Sequence, residues 1–480
     1  MNVIDTILGK LDDIVWGIPT IVLILATGLI LTIRLRGMQF FHLGRGLKSI
    51  FRSSDGEHGE VSSFGALCTA LSATIGTGNI VGVATAISAG GPGALFWMWL
   101  AALLGIATKY TECMLSVHYR EVKDDGHIVG GPFYTIEKGM GAKWRWLAVL
   151  FAVFGVLAGL LGIGTMTQIN GIATAVNNAF DPQNQNIAFS IAENNYSWAT
   201  VIAGALVTLF VALVVIGGLK RISKVAQVIV PFMAIIYVFL GVSVLIMNAT
   251  KIPGAFLTIF QSAFGWKAAA GGAAGWAFKQ ITDSMQKGVA RGIFSNEAGL
   301  GSAAIAAASA QVQEPVAQGL VSMTGTFIDT IIICTMTGLS IVIAGADVWA
   351  SPELKGVAIT SAAFRATLGG DGHSVQFLLM LCLIFFAFTT ILGWDYYSER
   401  CLEYLTKGNL RLVRLYRILY IIAVAIGPYL TISAVWTIAD ITNGLMAIPN
   451  CISLIVLSGV AAKMTKDYLD RYPTLESELA

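Results

Sequence analysis

Apolar stretches of about 20 residues recur along the whole 480-residue chain and are separated by shorter polar stretches. A helix of that length crosses the hydrocarbon core of a bilayer, because each helical residue advances about 1.5 Å. The pattern therefore predicts an all-α integral membrane protein with about eleven transmembrane helices. The predicted spans are residues 15–34, 62–89, 93–118, 146–178, 197–217, 225–248, 286–312, 317–345, 375–402, 412–432 and 434–462.

Two longer connections do not fit a span. Residues 251–285 are moderately apolar but rich in glycine, which suits an extramembrane helix or hairpin lying on the bundle. Residues 347–372 predict a second cap of this kind. No soluble domain is predicted, so residues 1–480 are interpreted as one domain with a cytoplasmic tail at 463–480. The glycines of the first cap are Gly265, Gly271, Gly272 and Gly275.

The composition excludes a water-soluble protein. Hydrophobic residues make up 56% of the chain and charged residues 12%, about half the charge of an average globular protein. The net charge of +2 and the absence of a basic cluster give no indication of nucleic-acid binding. Six cysteines occur singly, without the spacing of a metal site or a disulfide framework. The N-terminal residues lack the pattern of a removable signal peptide.

Lysine and arginine are distributed unevenly between alternate loops. If the N-terminus is outside, 21 of the 30 basic residues lie in or beside inner loops, as expected for cytoplasmic segments. The outer loop at residues 177–195 contains none. The distribution predicts a multi-pass protein with its N-terminus outside and its C-terminus in the cytoplasm. The membrane is expected to be a bacterial inner membrane.

Two of the predicted helices are interrupted by polar, glycine-rich sequence. Residues 72–79 read SATIGTGN, and residues 295–302 read SNEAGLGS. Glycine is unfavourable inside a helix, and a carboxylate is costly at bilayer depth. Such breaks are tolerated only where the backbone faces protein or a wet cavity. Glycines that merely permit close helix packing are the alternative, but they do not account for Asn79, Asn296 and Glu297.

Corresponding broken helices in two halves of a chain are typical of inverted-repeat transporters. Residues 62–248 would form the first five-helix repeat and residues 286–462 the second. The span at 15–34 would then be an extra N-terminal helix. A half-helix N-terminus offers N–H groups to a carboxylate, and unwound carbonyls offer oxygens to an ammonium group or a small cation. A ligand with both groups is an amino acid.

Three longer motifs resemble the alanine or glycine:cation symporter family, also called the sodium:alanine symporter family. They are IGTGNI at 75–80, GGPGALFWMW at 90–99 and GIFSNEAGLGS at 292–302, and the resemblance extends from about residue 15 to 465. It implies a LeuT-type 5+5 inverted-repeat bundle that imports alanine or glycine by symport with sodium. Proton coupling and glutamine transport occur in similar proteins and remain open. The lipid bilayer is the only other expected partner. No cofactor and no nucleotide is expected.

The resemblance also implies which residues contact the substrate. They lie in both breaks, on the fourth span and on the ninth span. Two of these residues have an alternative to substrate contact. Gln168 could form an interhelical hydrogen bond without a ligand, and Trp394 could lie at the membrane interface. The implied substrate residues are Thr77, Gly78, Asn79, Gln168, Ser295, Asn296, Thr390 and Trp394.

A sodium site is expected between the first break and the ninth span, because a hard cation prefers oxygen ligands. Carbonyls freed by the break, a carbonyl of the ninth span and a threonine hydroxyl would supply them. Thr389 and Thr390 diverge by about 100° on a helix, so both can bind sodium only if the helix distorts locally. Otherwise one of them is expected to face the substrate, Thr390 rather than Thr389, because Thr390 lies one turn from Trp394. Hydrogen bonds from both hydroxyls to their own backbone are the alternative. The implied sodium ligands are Ser72, Ile75, Ala387, Thr389 and Thr390.

Buried acids complete the predicted chemistry. Glu112 and Glu297 are expected to support the broken helices, because freed backbone amides need acceptors. For Glu112 the alternative is an ion pair with Lys109, three residues earlier on the same helix. Asp329 and Asp440 are candidates for an ion, proton or structural role, and the sequence does not choose between these.

Other functional classes lack their signals. A pump would need a nucleotide-binding loop, and no Gly-x-x-x-x-Gly-Lys-[Ser/Thr] sequence occurs. An enzyme would need a paired nucleophile and base or a metal cluster, and the five histidines show no such spacing. An ion channel is a distant alternative, because no repeated filter sequence is present.

Overall fold

The computed structural model of the protein describes residues 3–51, 59–123, 126–191, 194–266, 274–369, 372–430 and 432–474. Over these residues the chain is almost entirely helical. The exceptions are two antiparallel hairpins: β1 (Glu121–Val122) pairs with β2 (Ile128–Val129), and β3 (Ile187–Ile191) pairs with β4 (Asn194–Ser197). Of the predicted features, Gly271, Gly272 and residues 475–480 of the tail lie outside the described residues.

The helices alternate between long apolar segments and short connecting turns. Three π-helical turns (Gly78–Gly82, Thr135–Met140, Phe327–Cys334) and three 3-10 turns (Ala142–Trp144, Ala249–Lys251, Gly427–Tyr429) lie among them. The α-helices are α1 (Val3–Val15), α2 (Ile18–Arg34), α3 (Met38–Phe41), α4 (Leu43–Ser49), α5 (Ser63–Thr74), α6 (Val83–Gly90), α7 (Gly93–His118), α8 (Pro132–Tyr134), α9 (Arg145–Leu161), α10 (Met166–Phe180), α11 (Trp198–Val215), α12 (Gly218–Met247), α13 (Ile252–Ala263), α14 (Ala274–Asn296), α15 (Ser302–Ala308), α16 (Pro315–Thr326), α17 (Thr335–Ala344), α18 (Ala346–Trp349), α19 (Val357–Leu368), α20 (Gly372–Leu405), α21 (Leu410–Ile426) and α22 (Ile432–Arg471).

In the described part of the chain, eight helical segments are long and apolar enough to cross a membrane. The pair α5 and residues 78–90 passes the same test as a ninth segment, bent by 47°. The two remaining predicted spans are helical as well, although α14–α15 is interrupted and α21 has 17 residues. The chain is therefore a multi-pass membrane protein. The eight segments are Thr6–Arg34, Gly93–His118, Ala142–Phe180, Trp198–Val215, Gly218–Met247, Pro315–Ala344, Ser374–Leu405 and Val435–Arg471.

Short helices occupy the two stretches predicted to cap the bundle. α13 lies in the first stretch and α19 in the second. α14 begins at Ala274, earlier than the predicted start at residue 286. Residues 279–284 of this helix carry mostly polar side chains, and the prediction placed them in the extramembrane helix or hairpin before the span. In the fold these side chains find partners on neighbouring helices; the Ser284 hydroxyl, for example, donates to the Gly90 carbonyl.

Small residues allow the central helices to approach closely. α7 packs along α14 and α16, and α20 packs along α9, α10 and α12. A β-carbon added at Gly105 would lie 2.8 Å from the Ala298 β-carbon, so the second break packs closely against the backbone of α7. Glycine at such contacts is the usual means of close packing between membrane helices. The extra helix α2 packs against α7 and α22.

A third interruption was not predicted. Residues 146–178 were expected to form one helix, but α9 ends at Leu161 and α10 begins at Met166. A β-carbon at Gly164 would lie 2.7 Å from the β-carbon of Trp394 on α20. The connection therefore passes closer to α20 than a regular helix with side chains allows. This contact depends on the tertiary structure.

Candidate functional site

The first break lies between α5 and the π-helical turn at Gly78–Gly82. Ile75 is extended (φ −81°, ψ 94°), so the amides that follow lose their helical acceptors. Asn79 Oδ1 accepts from the Gly76 amide at 2.9 Å, and Gln168 Oε1 accepts from the Thr77 amide at 3.0 Å. The Thr77 hydroxyl is buried and has no hydrogen-bond partner among the described residues. Its position leaves one polar group of the break available to a ligand.

The second break lies between α14 and α15. Glu297, Gly299 and Gly301 all have left-handed backbone angles, with φ of 56°, 92° and 78°. Glycine adopts this conformation without steric cost, whereas a glutamate is strained there. The Asn296 side chain accepts from the Ala298 amide at 2.9 Å and donates to the Thr330 hydroxyl at 3.0 Å. Strain at Glu297 is therefore held in place by a network of side chains.

Glu112 on α7 contacts the second break directly. Its Oε2 accepts from the Gly299 amide at 3.2 Å and from Asn450 Nδ2 at 2.9 Å. Asn450 also donates to the Gly299 carbonyl at 2.9 Å, so both the N–H and the C=O of Gly299 are hydrogen-bonded. The Lys109 ammonium lies 3.5 Å from the other carboxylate oxygen. Both interactions considered for Glu112 are thus present together, and Asn450 is a partner that the sequence reasoning missed.

Glu297 joins the two broken helices to α20. Its Oε1 accepts from the Trp394 indole at 2.7 Å, and its Oε2 accepts from the Ser302 hydroxyl at 2.8 Å. The Thr74 hydroxyl, at the end of α5, lies 3.5 Å from the same Oε2. The indole N–H of Trp394 is therefore engaged by Glu297, which leaves the ring itself as the part that can contact a substrate.

Asp329 brings residues of the two breaks together. Asn79 Nδ2 donates to its Oδ1 at 2.6 Å, and the Ser295 hydroxyl donates to its Oδ2 at 2.9 Å. The Thr330 hydroxyl donates to the same Oδ2 at 2.7 Å. The whole group is buried. Sequence reasoning marked Asp329 as an intramembrane acid but not as the contact between the two breaks, because that contact joins residues 250 positions apart.

The two threonines of α20 face different neighbours. The Thr390 hydroxyl donates to the Phe386 carbonyl of its own helix at 2.9 Å and lies 3.3 Å from the Ile75 carbonyl, which the first break has freed from the helix. The Thr389 hydroxyl donates to the Phe385 and Phe386 carbonyls at 3.0 Å and lies 3.6 Å from Met233 Sδ on α12. A carbonyl and a hydroxyl that converge are ligands suited to a hard cation. Thr390, the threonine expected to face the substrate, is therefore also the one that lies beside the freed carbonyl.

The other two predicted sodium ligands lie next to this pair. Ala387 is fully buried on α20, one turn before Thr390. Ser72 is fully buried on the last turn of α5, and its hydroxyl donates to the Thr69 carbonyl at 2.7 Å. That internal bond leaves the carbonyl of Ser72, rather than its hydroxyl, as the group that fits the prediction.

A cluster of four residues, the Arg291 cluster, covers the site on the side from which α14 enters. Arg291 makes two hydrogen bonds to Asp440, at 2.7 and 2.8 Å. Trp436 stacks on Phe294 with ring centroids 5.1 Å apart, and the guanidinium lies 5.0 Å from the Trp436 ring. Phe294 in turn lies beside Gly78. This cluster therefore packs directly against the first break.

A second cluster, the His127 cluster, lies beyond α15 at the opposite end. His127 Nδ1 is 3.1 Å from Glu60 Oε1, and its Nε2 is 3.3 Å from Glu403 Oε1. Arg400 contacts both His127 and Glu403. The cluster ties the chain before α5 to the end of α20, so this end of the bundle is closed by ion pairs as well.

We expect the closure by the His127 cluster to weaken with rising pH. Hydrogen bonds that the His127 ring donates to Glu403 and Glu60 raise its pKa from 6.5 to about 9. Because this pKa is raised, the ion pairs of His127 stabilise the closed end fully below pH 6.5. This stabilisation is lost as the pH rises through about 9. Amide hydrogen exchange of Glu60 and Val61, corrected for intrinsic rates, should become faster over that range.

The matched variants are His127→Gln and His118→Gln. The first should show fast exchange at every pH. The second removes an exposed histidine at the end of α7 and should behave like the wild type. Exchange in the unmodified protein that stays equally slow at pH 7 and above pH 9 would show that His127 does not close this end.

The profile of the Sodium:alanine symporter family matches residues 1–478. The chain belongs to this family of transporters. Membership identifies the protein as a transporter. It also confirms the family resemblance that the motifs at 75–80, 90–99 and 292–302 indicated.

Individual family members match over nearly the whole chain. A protein of Haemophilus influenzae described as an uncharacterized transporter is 52% identical over 98% of this chain and 97% of its own length. The sodium/alanine symporter AgcS of Methanococcus maripaludis is 45% identical over 96% and 97%. The probable sodium/glutamine symporter GlnT of Bacillus subtilis is 36% identical over 97% and 91%.

A solved structure confirms the fold class. The crystal structure of MhsT in complex with L-phenylalanine superposes with a TM-score of 0.55 at 14% sequence identity. The match covers 86% of this chain and 99% of MhsT. The LeuT-type helical bundle predicted for this family member is therefore the fold that the chain adopts.

Proposed function

We propose that this protein imports a small neutral amino acid, alanine and/or glycine, by symport with sodium. The observation that carries the proposal is the meeting of two helix breaks on one buried carboxylate, Asp329, which accepts from Asn79 and Ser295. Breaks in corresponding helices, close to each other and buried, are the usual setting of a carrier's binding site. Membership of the sodium:alanine symporter family supports the choice of substrate and ion.

In this proposal the substrate carboxylate approaches the first break at Thr77, Gly78 and Asn79, where half-helix amides favour an anion. Gln168 orients the Thr77 amide, and the ring of Trp394 limits the space beside it. Ser295, Asn296 and Thr390 complete the pocket. Glu112 and Glu297 act through the second break, whose backbone they hold.

Sodium is proposed to bind between the first break and α20. The Ile75 carbonyl and the Thr390 hydroxyl form one side, and the carbonyls of Ser72 and Ala387 the other. Loss of one oxygen ligand weakens cation binding by roughly the strength of a hydrogen bond to a charge, about 1.5–3 kcal/mol. No other cofactor is part of the proposal.

Thr390→Val should lower sodium affinity about 10- to 100-fold, because it removes the hydroxyl that faces Ile75 and keeps the side-chain shape. Thr389→Val is the matched control: its hydroxyl faces Phe385 and Met233, so affinity should stay within about threefold. The measurement is sodium-dependent alanine binding to the purified variants. Wild-type sodium dependence in both variants would show that the ion is not held between α5 and α20.

We further propose that residues 62–248 and 286–462 are the two inverted repeats of an inner-membrane carrier, with an outside N-terminus and a cytoplasmic C-terminus. The Arg291 cluster then closes the outer side and the His127 cluster the cytoplasmic side. Alternating access needs a closure on each side of a fixed site. The excess of lysine and arginine in the loops near the His127 cluster supports this orientation.

The test is uptake of labelled alanine into proteoliposomes, with sodium and pH gradients imposed separately and glycine or glutamine as competitors. One charge moving through 100 mV releases about 2.3 kcal/mol, and a tenfold gradient about 1.4 kcal/mol. One sodium per substrate would thus support accumulation of a few hundredfold. Accumulation that persists after both gradient and potential are collapsed would contradict the proposal; a pH gradient that replaces sodium would favour proton coupling.

A further inference from the structure

Asp395 on α20 is a buried acid that the proposed transport mechanism does not use. It is 0% exposed, and neither carboxylate oxygen has a hydrogen-bond partner among the described residues. An ionised carboxylate without partners in a protein interior is destabilised by several kcal/mol, whereas the protonated acid is neutral. Its surroundings in this conformation therefore favour the protonated form of Asp395.

The nearest cation does not change this conclusion. Arg417 on α21 donates from Nε to Glu399 Oε1 at 2.6 Å and from Nη2 to Oε2 at 2.7 Å. A bidentate ion pair of this kind neutralises the guanidinium charge. It also holds the guanidinium in an orientation that does not suit a second carboxylate. Glu399 lies one helical turn beyond Asp395, so the two acids compete for a single arginine.

A route to water begins one turn away. Glu399 and Arg417 line a cavity of about 860 Å³, to which His127, Glu403 and Lys407 also contribute. One helical turn advances about 5.4 Å, so Asp395 lies about that far along α20 from Glu399, which lines this cavity. In the proposed orientation the cavity belongs to the cytoplasmic end, which the His127 cluster closes.

Among the described residues, no second cation acts on Asp395. Tyr416 and Tyr420 of α21 face the acid, and both hydroxyls donate to backbone carbonyls, to Val156 at 3.2 Å and to Ile391 at 2.7 Å. From α9, Gly159 packs against Ser398 on the same stretch of α20. Glu399 and Arg417 are thus the charged groups that act on this acid.

We propose that Asp395 is a proton-binding site linked to opening of the cytoplasmic end. When α20 and α21 separate there, the O–H bond of the acid breaks and its proton passes to water in the cavity. The carboxylate keeps the electron pair, and Arg417 moves from Glu399 to become its partner. This inference rests on the proposed carrier function, because it requires an opening of the end that the His127 cluster closes.

The site lies close enough to the proposed sodium site to be coupled to it. Thr390, which faces the Ile75 carbonyl, precedes Asp395 by little more than one turn of α20. Trp394, the neighbouring residue, is bonded to Glu297 in the second break. A displacement of this part of α20 therefore changes both the surroundings of the proton and the contacts of the two breaks.

The first test is infrared spectroscopy of the purified full-length protein. The wild type should show the carbonyl band of a protonated carboxylic acid that Asp395→Asn loses. Asp347→Asn, which changes an exposed acid, should leave this region of the spectrum unchanged. An identical spectrum for Asp395→Asn and the wild type would overturn the proposal. This test needs no transport, so it decides the proton site even if the proposed function fails.

The second test is sodium-driven alanine uptake at lumenal pH values of about 5.5–7.5, where His127, with its pKa of about 9, stays protonated. Wild-type uptake should slow as lumenal pH falls, because Asp395 retains its proton. Asp395→Asn cannot ionise, so its uptake should be about tenfold slower and independent of lumenal pH. Asp395→Glu should keep the pH dependence.

Alanine binding in detergent shows whether each variant is folded. If Asp395→Asn binds alanine and retains the wild-type dependence on lumenal pH, the proposal is overturned and Asp395 has a packing role only. If the wild type shows no sodium-driven uptake at any pH, the proposed function fails, and the infrared result alone decides whether Asp395 binds a proton.

Discussion

Gly78→Leu should abolish alanine binding by the folded protein. A β-carbon at this position would lie 3.1 Å from the Ser295 α-carbon and 3.3 Å from Phe294 Cδ1. The rest of a leucine side chain would force the first break away from α14 and fill the space through which a carboxylate reaches the backbone. Overpacking of this kind costs roughly 1–3 kcal/mol before the lost ligand contacts are counted, so affinity should fall at least about a hundredfold.

Gly254→Leu is the matched control, because a β-carbon there has no heavy atom within 4 Å. It lies on α13, away from both breaks, and should bind alanine as the wild type does. Binding is measured by calorimetry on monodisperse protein in detergent. Normal binding by Gly78→Leu would place the substrate site elsewhere in the bundle.

Lys109→Met should be the most destabilising of the variants considered. The Lys109 ammonium is buried and lies 3.5 Å from Glu112 Oε1, and its charge also acts on Glu297. Its removal leaves two buried carboxylates at the second break without a cation. Loss of one member of a buried ion pair typically costs about 3–5 kcal/mol. The measurement is the free energy of unfolding in mixed detergent micelles.

The control for Lys109→Met is the double variant with Glu112→Gln. Glutamine keeps an oxygen for the Gly299 amide and removes the uncompensated charge, so the double variant should be more stable than Lys109→Met alone. A double-mutant cycle gives the interaction energy of the pair. If Lys109→Met lowered the free energy of unfolding by less than about 1 kcal/mol, the pair would contribute no more than a solvent-exposed ion pair. That result would contradict the expected role of Lys109.

The membrane architecture was predictable because it depends on local sequence. Runs of apolar residues must form helices in lipid, where every backbone polar group needs an internal partner. Each predicted span accordingly coincides with helix in the structure. The break at residue 164 was missed because its cause is close contact with Trp394, far away in the sequence.

The candidate site was predictable in part. Glycines beside Asn79, Asn296 and Glu297 marked the breaks, since such residues are costly inside a membrane helix. The partners of these residues were not predictable. Asp329 for Asn79, Trp394 for Glu297 and Asn450 for the Gly299 peptide come from other helices.

The sequence by itself determined that the chain crosses a membrane many times, where two helices break, and which family it belongs to. These properties follow from composition, from local backbone preferences and from long motifs. Only the tertiary structure decided that Thr390 rather than Thr389 faces the Ile75 carbonyl, because the rotation of α20 about its axis is set by its neighbours. It also decided that Asp395 has no hydrogen-bond partner within the described part of the chain while Asp440 is paired, since the charge that satisfies a buried acid lies on another helix.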